Sequence, residues 1–92
     1  FVCANDSLAI SLLTALKKRG VSVPGDVMVT GFDGMPQSAF TDPPLTTVQI
    51  HGTEIGRLAA ELLLNRIRIP AFPYSWTRVK STPIWRESTR SV

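Results

Sequence analysis

The chain has 92 residues, and ten lysine and arginine side chains against seven acidic ones give it a formal net charge of +3. A hydrophobic fraction of 43% with 18% charged residues is typical of a globular chain and excludes extended disorder. No apolar run approaches the ~18 residues that a membrane-spanning helix requires, so we predict no membrane span. The single Cys3 excludes an internal disulfide, and with the single His51 it cannot form a zinc site of four such side chains, so we predict neither metal nor cofactor.

The positive charge is concentrated in the second half of the chain. Residues 46–92 hold seven basic and three acidic side chains. These basic residues are scattered, without the interleaved aromatic residues of a single-strand binder and without a recognisable DNA-reading helix. We therefore do not expect them to contact nucleic acid directly.

The first predicted elements are a strand and a helix. Residues 1–4 are an apolar run, and the polar residues 5–7 (Asn-Asp-Ser) that follow are typical helix caps. Apolar side chains then recur at helical spacing, basic residues stand near the negative end of the helix dipole, and Gly20 ends the helix. The apolar positions are Leu8, Leu12, Ala15 and Leu16.

A second predicted strand brings another polar side chain to the same edge. Residues 24–26 (Pro-Gly-Asp) predict a turn, and residues 27–32 form a continuous apolar run that suits a strand covered on both faces. The intervening helix has the length of a right-handed crossover, which places Asn5 and Asp33 at the carboxyl ends of neighbouring parallel strands. Open α/β sheets bind ligands there. We predict an α/β fold, a parallel sheet flanked by helices, with a small-molecule crevice beside Asn5 and Asp33.

The rest of the chain contains an extended segment, a second helix and weaker strand patterns. Residues 43–48 (Pro-Pro-Leu-Thr-Thr-Val) are extended by their prolines and rich in β-branched side chains. The second helix has one apolar stripe and ends before Pro70 and Pro73. Short strands are predicted at residues 76–79 and 84–87. The stripe consists of Ile55, Leu58, Ala59, Leu62, Leu63 and Ile67.

Each candidate residue also has a plainer interpretation. Asn5 can be only a helix cap, and Asp33, which precedes Gly34, can be only a turn residue. Asp6 is expected to cap the helix or to orient a neighbouring group rather than to bind a ligand.

The chemistry of the crevice favours a particular class of ligand. A carboxylate opposite a carboxamide suits vicinal hydroxyls, which need both donors and acceptors when buried. Sugars present that pattern.

A series of short motifs runs in order along most of the chain. They are Ala4-Asn5-Asp6, Gly20, Val23-Pro24, Asp26-Val27, Gly31-Phe32-Asp33, the Pro-Pro-Leu-Thr-Thr-Val run, Gly56 with Ala59 and Leu63, and Arg86-Glu87-Ser88. Together they resemble the LacI/GalR family of bacterial transcription regulators, in the C-terminal part of the effector-binding region. The resemblance implies a two-lobed fold like that of periplasmic sugar-binding proteins, with the effector held between the lobes.

The resemblance also implies how the chain is divided. Residues 1–48 are expected to form part of the C-terminal lobe, residues 49–79 the crossover and part of the N-terminal lobe, and residues 80–92 the return to the C-terminal lobe. The chain begins within a predicted strand, without methionine or a signal sequence, so we expect a longer parent protein. The family's helix-turn-helix, which reads operator DNA, is expected to lie outside this chain.

The resemblance further implies roles for individual residues. The family positions that match Asn5 and Asp33 commonly bind the effector, which we expect to be a sugar or a similar small polar metabolite. A polar family residue just after the crossover corresponds to Gln49 or Ile50, and isoleucine departs from the pattern. We therefore treat Gln49, together with Asp6, as a secondary candidate.

The resemblance implies a homodimer as well. The helix after Asp6 and the loop at residues 36–41 match family regions that pack across a two-fold axis. Leu8, Leu12 and Phe40 are the apolar residues that we assign to this surface. Alternatively, Leu12 faces the chain's own sheet, and a single helix stripe does not separate the two arrangements.

Two other functional classes remain as alternatives. A periplasmic sugar-binding protein shares the fold, but it needs a signal peptide and is not expected to carry the Pro-Pro-Leu-Thr-Thr-Val run. An enzyme needs a catalytic group in the crevice, and the chain has no glycine-rich phosphate loop, no nucleophile elbow and no histidine beside Asn5 or Asp33. We predict the effector-binding and dimerisation portion of a cytoplasmic LacI-type repressor, which is not an enzyme.

Overall fold

The structure, a computed structural model, describes residues 1–90. The chain separates into two compact units, one formed by Phe1–Ile50 with the segment from Thr82 onward, the other by His51–Ser81. The first unit contains both principal site candidates, and the second contains the longer helix. The elements in chain order are α1 (Asp6–Lys18), a 3₁₀ helix (Pro36–Phe40), β1 (Thr47–Gln49), α2 (Gly52–Arg68) and β2 (Thr82–Ile84).

Helix α1 forms as the sequence predicts. The side-chain Oδ1 of Asn5 accepts a hydrogen bond from the backbone N–H of Leu8 at 2.9 Å, which caps the N-terminus. Lys17 and Lys18 lie in the last turn, where they complement the helix dipole. Gly20 follows with a left-handed φ of +72°. The predicted cap, terminal charges and glycine stop are confirmed.

One detail of the predicted helix stripe is wrong. Leu8, which helical spacing assigned to the apolar stripe, is 55% exposed, whereas Leu12 and Leu16 pack partly buried against the core. The reason is that positions 9 and 13 point directly into the core, and successive helical side chains are rotated by about 100°, which turns position 8 toward solvent. The buried core consists of Ala9, Leu13, Val29 and Leu45.

Three extended segments lie side by side in the first unit, but residues 1–90 do not contain the regular parallel sheet that we predicted. Single parallel bridges join Val2 to Thr30, Thr30 to Thr46 and Asp33 to Gln49. The regular strand pair is antiparallel: β1 pairs with β2, with Thr47 opposite Ile84, Val48 opposite Pro83 and Gln49 opposite Thr82. The predicted strands are therefore extended segments joined at isolated points.

The C-terminal segment explains this interruption. The backbone N–H of Val29 donates to the carbonyl oxygen of Ser88 at 3.1 Å, and the N–H of Ser88 donates to the carbonyl oxygen of Pro44 at 2.9 Å. Ser88 therefore takes hydrogen-bonding positions that a continuous ladder between the second and third segments would use.

Helix α2 also forms where the sequence predicts a helix. None of its residues is buried in the structure described, and Ile67 of the apolar stripe is 65% exposed. Arg57 bonds to Glu54 at 2.8 Å and to Glu61 at 2.7 Å, and the hydrogen bond and charge of Glu54, followed by those of Glu61, raise the pKa of Arg57. No helix within residues 1–90 combines the length and apolar character needed to cross a membrane.

The strand predicted at residues 76–79 is absent. That segment is unpaired with any other part of residues 1–90 in a sheet, and Trp76 is fully exposed. The chain after α2 is instead held by Arg66, whose guanidinium carbon lies 4.1 Å from the ring centroid of Tyr74 and whose Nη1 donates to the carbonyl oxygen of Phe72 at 3.1 Å.

The last predicted strand is displaced toward the N-terminus. It was expected at residues 84–87, and β2 overlaps that range only at Ile84. The ladder stops there because the backbone N–H of Arg86 donates to the side-chain Oγ1 of Thr46 at 2.8 Å rather than to a strand carbonyl.

Candidate functional site

Asp33 lies in a turn with an unusual backbone conformation. Its φ is +125°, a region that non-glycine residues rarely adopt. Its N–H donates to the carbonyl oxygen of Val48 at 3.1 Å, and it forms a parallel bridge with Gln49. The half-buried carboxylate has no hydrogen bond or ion pair with another side chain among residues 1–90. The backbone of Asp33 is thus held in place, and its carboxylate is available to an external partner.

Asn5 lies close to this turn through its neighbour in the chain. The N–H of Asp6 donates to the carbonyl oxygen of Phe32 at 2.9 Å, so the Asn5-Asp6 pair lies beside the Phe32-Asp33 pair. The two predicted polar tips are therefore brought to one edge. Asn5 uses Oδ1 to cap α1, while its Nδ2 donates no hydrogen bond within the described residues. The cap role and a free amide donor coexist in this side chain.

Asp6 lies beneath the edge rather than in it. The residue is 0% exposed. Its Oδ1 accepts from the hydroxyl of Thr47 at 2.6 Å, and its Oδ2 accepts from the backbone N–H of Met35 at 2.7 Å. Both oxygens of Asp6 therefore accept hydrogen bonds inside the fold, and the side chain that caps α1 is that of Asn5.

Gln49 lies against the other side of the Asp33 turn. Its Nε2 donates to the carbonyl oxygen of Ile50 at 3.1 Å. A Cβ atom at Gly34 would lie 3.0 Å from the backbone Cα of Gln49, and Gly34 has a φ of +75°. Glycine is therefore required both for the turn and for the close approach of Gln49.

The residues assigned to a dimer surface differ in exposure. Phe40 is 87% exposed at the end of the 3₁₀ helix, and Leu8 is exposed on α1. Leu12 instead packs against the core, as in the alternative that placed it toward the chain's own sheet. The loop that carries Phe40 is held from within: the buried Ser38 accepts a hydrogen bond at 2.6 Å from Nη1 of Arg86.

Sequence reasoning missed the importance of Thr47, Ser88 and Arg86. The residues stood in family-like motifs, but the partners of their side chains lie far away in sequence: Thr47 bonds to Asp6 41 residues away, and Arg86 to Ser38 48 residues away. The available signal was a threonine in an otherwise apolar extended run, where a buried hydroxyl requires a partner.

A large open cavity lies apart from this edge. Its volume is about 1060 Å³, and neither Asn5 nor Asp33 lines it. Its walls include Trp85 with Pro24 and Pro44. Among the described residues, no group of three or more His, Cys, Asp or Glu side chains is arranged to hold a metal ion. The candidate site is therefore the polar edge at Asn5 and Asp33.

A family described as "Periplasmic binding protein-like domain" matches residues 1–89. Among curated relatives, the chain is 45% identical over 91 residues to the HTH-type transcriptional regulator MalR of Streptomyces coelicolor, covering 99% of this chain and 26% of that regulator. It is 37% identical over 89 residues to the lactose operon repressor of Rhizobium radiobacter, covering 97% of this chain and 78% of that protein.

Three solved structures have a similar fold. The lac repressor dimer bound to operator and the anti-inducer ONPF has a TM-score of 0.88 at 26% identity, covering 98% of this chain and 31% of that chain. A LacI family transcriptional regulator from Enterococcus faecium with bound ribose has a TM-score of 0.82 at 33% identity, covering 96% and 33%. A LacI family transcriptional regulator from Arthrobacter in complex with lactose has a TM-score of 0.81 at 36% identity, covering 97% and 34%.

The fold and the family match thus define a periplasmic-binding-protein-like domain. The named relatives are transcriptional regulators rather than enzymes or uptake proteins. The chain belongs to the LacI family of transcription regulators and corresponds to part of their effector-binding region, so the resemblance seen in the sequence is confirmed. It spans 26% of the Streptomyces regulator and 31% of the lac repressor chain.

Proposed function

We propose that this chain supplies the effector-binding and dimerisation surfaces of a longer LacI-type repressor whose effector is a sugar or a similar small polar metabolite. The observation that carries the proposal is the Asp33 turn, where a half-buried carboxylate without a side-chain partner stands on a strained backbone beside Asn5. Proteins retain such strain where surrounding structure supports it, and it is concentrated at functional sites.

The chemistry of this edge fits vicinal hydroxyl groups. The Asp33 carboxylate provides acceptors, and Nδ2 of Asn5 provides a donor while its Oδ1 caps α1. Gln49 adds a polar side chain beside the same turn. Two structural relatives hold ribose and lactose, respectively, which supports a sugar as the class of effector. Asn5 and Asp33 are the principal contacts in this proposal, and Gln49 is a secondary one.

The path of the chain supports a two-lobed arrangement. It leaves the first unit after Ile50 and returns to it at Thr82, and the antiparallel β1–β2 pair joins the outgoing and returning strands. Residues 1–48 then belong to the C-terminal lobe, residues 49–79 to the crossover and N-terminal lobe, and residues 80–92 to the return. The parallel sheet that these segments begin is completed, in this proposal, by parts of the protein outside the chain.

Regulation follows from effector binding between the two lobes. An effector that binds their closed arrangement better than the open one shifts the population toward closure. The crossover strands carry that change to a partner subunit and to a distant helix-turn-helix, with a coupling of about 1–3 kcal/mol. We propose that the full protein is a cytoplasmic homodimer whose operator contacts lie outside this chain. We propose no catalytic role for it. The exposed Leu8 and Phe40 contribute to the dimer surface, whereas the partly buried Leu12 packs against the core.

The test uses the full-length protein that contains this chain. Ribose, lactose and a panel of other pentoses, hexoses and disaccharides are titrated calorimetrically into the protein. Release of the protein from a labelled DNA fragment of its own promoter is followed by fluorescence anisotropy. We expect at least one sugar to bind the wild-type protein and to alter DNA affinity. Asp33→Asn should abolish this response while DNA binding persists, because it removes the negative charge of the side chain and replaces one of its two acceptor oxygens with an amide donor.

Asp42→Asn is the matched control. Asp42 is an exposed carboxylate paired with Lys17 at 2.8 Å on the surface of the same unit, and its neutral variant should respond to sugar like the wild type. Failure of every sugar to bind the wild-type protein, or an unchanged response in Asp33→Asn, would contradict the proposed function.

A further inference from the structure

We infer that Asp6 and Thr47 are positioning residues that hold the Asp33 turn in its effector-binding conformation and link it to the crossover strand. The inference rests on the proposed function, since it takes the Asp33 carboxylate as an effector contact. It adds two residues that do not touch the effector and a route by which β1 acts on the binding edge.

One buried carboxylate connects three segments of the first unit. Asp6 belongs to the first turn of α1, and its Oδ2 accepts from the N–H of Met35 at 2.7 Å in the loop after Asp33. Its Oδ1 accepts from the hydroxyl of Thr47 at 2.6 Å in β1. The same Thr47 oxygen accepts from the N–H of Gly34 at 3.3 Å. The two amides that follow Asp33 are therefore both held by this pair of side chains.

The surrounding residues leave this carboxylate no alternative arrangement. Asp6 and Thr47 are 0% and 1% exposed, so water does not replace either partner. A Cβ atom at Gly31 would collide with Oδ1 of Asp6, so glycine provides the space that the carboxylate occupies. A buried polar side chain needs hydrogen-bond partners, and for Asp6 these are the Thr47 hydroxyl and the Met35 amide.

The pair offsets the strain in the turn. Asp33 has a φ of +125°, which a non-glycine residue keeps only where its neighbours are fixed. On one side, the Asp33 N–H bonds to the carbonyl oxygen of Val48, and on the other side Gly34 and Met35 bond to Thr47 and Asp6. Removal of the Thr47 hydroxyl allows the turn to relax. Relaxation then moves the Asp33 carboxylate away from the position in which it binds the effector.

Thr47 also connects this turn to the path between the two units. It lies in β1 opposite Ile84 of β2, and these strands precede and follow the second unit in the chain. A shift of β1 therefore changes the geometry of the Asp33 turn through the Thr47 hydroxyl. By linkage, effector binding at Asp33 biases β1 equally.

The test compares two neighbouring buried threonines in the full-length protein. Thr47→Val removes the hydroxyl that bonds to Asp6, and Thr47→Ser restores it. Thr46→Val is the matched control: Thr46 is 4% exposed, and its hydroxyl bonds to the N–H of Arg86 and to the hydroxyl of Thr89, away from the Asp33 turn. Each variant is titrated calorimetrically with the sugar that binds the wild-type protein, and its unfolding by urea is measured.

We expect Thr47→Val to weaken sugar binding about tenfold or more, and Thr47→Ser and Thr46→Val to stay within about threefold of the wild type. Thr46→Val should nevertheless lose stability, because it also removes a buried hydrogen-bonding group. Wild-type affinity in folded Thr47→Val, or an equal loss of affinity in Thr46→Val, would overturn the inference.

Two further measurements keep the outcomes distinct. If Thr47→Val does not fold, amide hydrogen exchange in the sugar-free wild-type protein decides: we expect slow exchange at Gly34 and Met35, and rapid exchange at both would overturn the inference. Asp33→Asn is titrated in parallel. If it binds sugar normally, the proposed function fails; if it loses binding while Thr47→Val retains it, only the positioning inference fails.

Discussion

The hydroxyl of Ser88 donates a hydrogen bond to the carbonyl oxygen of Val29 at 2.6 Å, across 59 positions in the sequence. The same Ser88 oxygen accepts from the backbone N–H of Thr46 at 2.8 Å, and the residue is fully buried. One small side chain thus joins the C-terminal segment to two of the extended segments that carry the candidate site.

Ser88→Ala should destabilise the full-length protein by about 2 kcal/mol, because it leaves the Val29 carbonyl and the Thr46 amide buried with fewer partners. Urea unfolding monitored by fluorescence measures the change. Ser11→Ala, at an exposed position on α1, is the control and should change stability by no more than about 0.5 kcal/mol. Equal stability of the two variants would mean that the Ser88 bonds contribute nothing net.

Asn5→Asp should separate the cap from the ligand contact. Aspartate accepts the Leu8 hydrogen bond as well as asparagine does, so helix stability should be kept, but the amide donor is lost and sugar affinity should fall. Asn5→Ala should lose both the helix cap and the amide donor, and loss of the cap should lower the free energy of unfolding by about 1 kcal/mol. Thermal unfolding and calorimetric titration of the same samples provide the two readouts. Unchanged sugar affinity in Asn5→Asp would leave Asn5 as a cap alone.

Asp33→Gly should be more stable than Asp33→Ala by about 1 kcal/mol, the reverse of the usual order of these residues. Glycine adopts the φ of +125° without steric conflict, whereas alanine retains the strain of the native aspartate. Both variants should lose the sugar response, because neither has a carboxylate. Denaturation midpoints test the first statement, and titration tests the second. Greater stability of the alanine variant would show that the turn relaxes at no cost.

The Lys17–Asp42 ion pair should stabilise the folded protein only slightly, and only at pH values above the acid range. The hydrogen bond and charge of Lys17 lower the pKa of Asp42. A carboxyl group with a lower pKa in the folded state stabilises that state above its ordinary pKa, and the stabilisation is lost as the pH falls through the lowered value. Because both side chains are exposed, the effect should be small and screened by salt.

Comparison of Asp42→Asn with the wild type, at neutral and acid pH and at low and high salt, tests this expectation. The difference in unfolding midpoint should be small at neutral pH and should disappear both in acid and in high salt. A difference that grows as the pH falls would contradict the assigned sign.

Local patterns predicted α1 and α2 well, whereas the pairing of the extended segments was not accessible in the same way. A cap at Asn5, basic residues in the last turn and a stop at Gly20 all act within a few residues of one another. The position of the last strand depended on where Arg86 leaves the ladder for Thr46, 40 residues away, and was therefore misplaced. The strand at residues 76–79 was predicted from residue types alone, without a partner segment to pair with.

The sequence by itself determined the two helices, the extended run at residues 43–48, the polar tips at Asn5 and Asp33 and the family to which these motifs belong. Each of these depends on residue type and short spacing, which a linear pattern records. Only the tertiary structure decided that Asp6 is buried, that Thr47 is its partner and that Asp33 has a strained φ. The physical reason is that a buried polar group is satisfied by whichever group the fold brings to it, and here those groups come from distant parts of the chain.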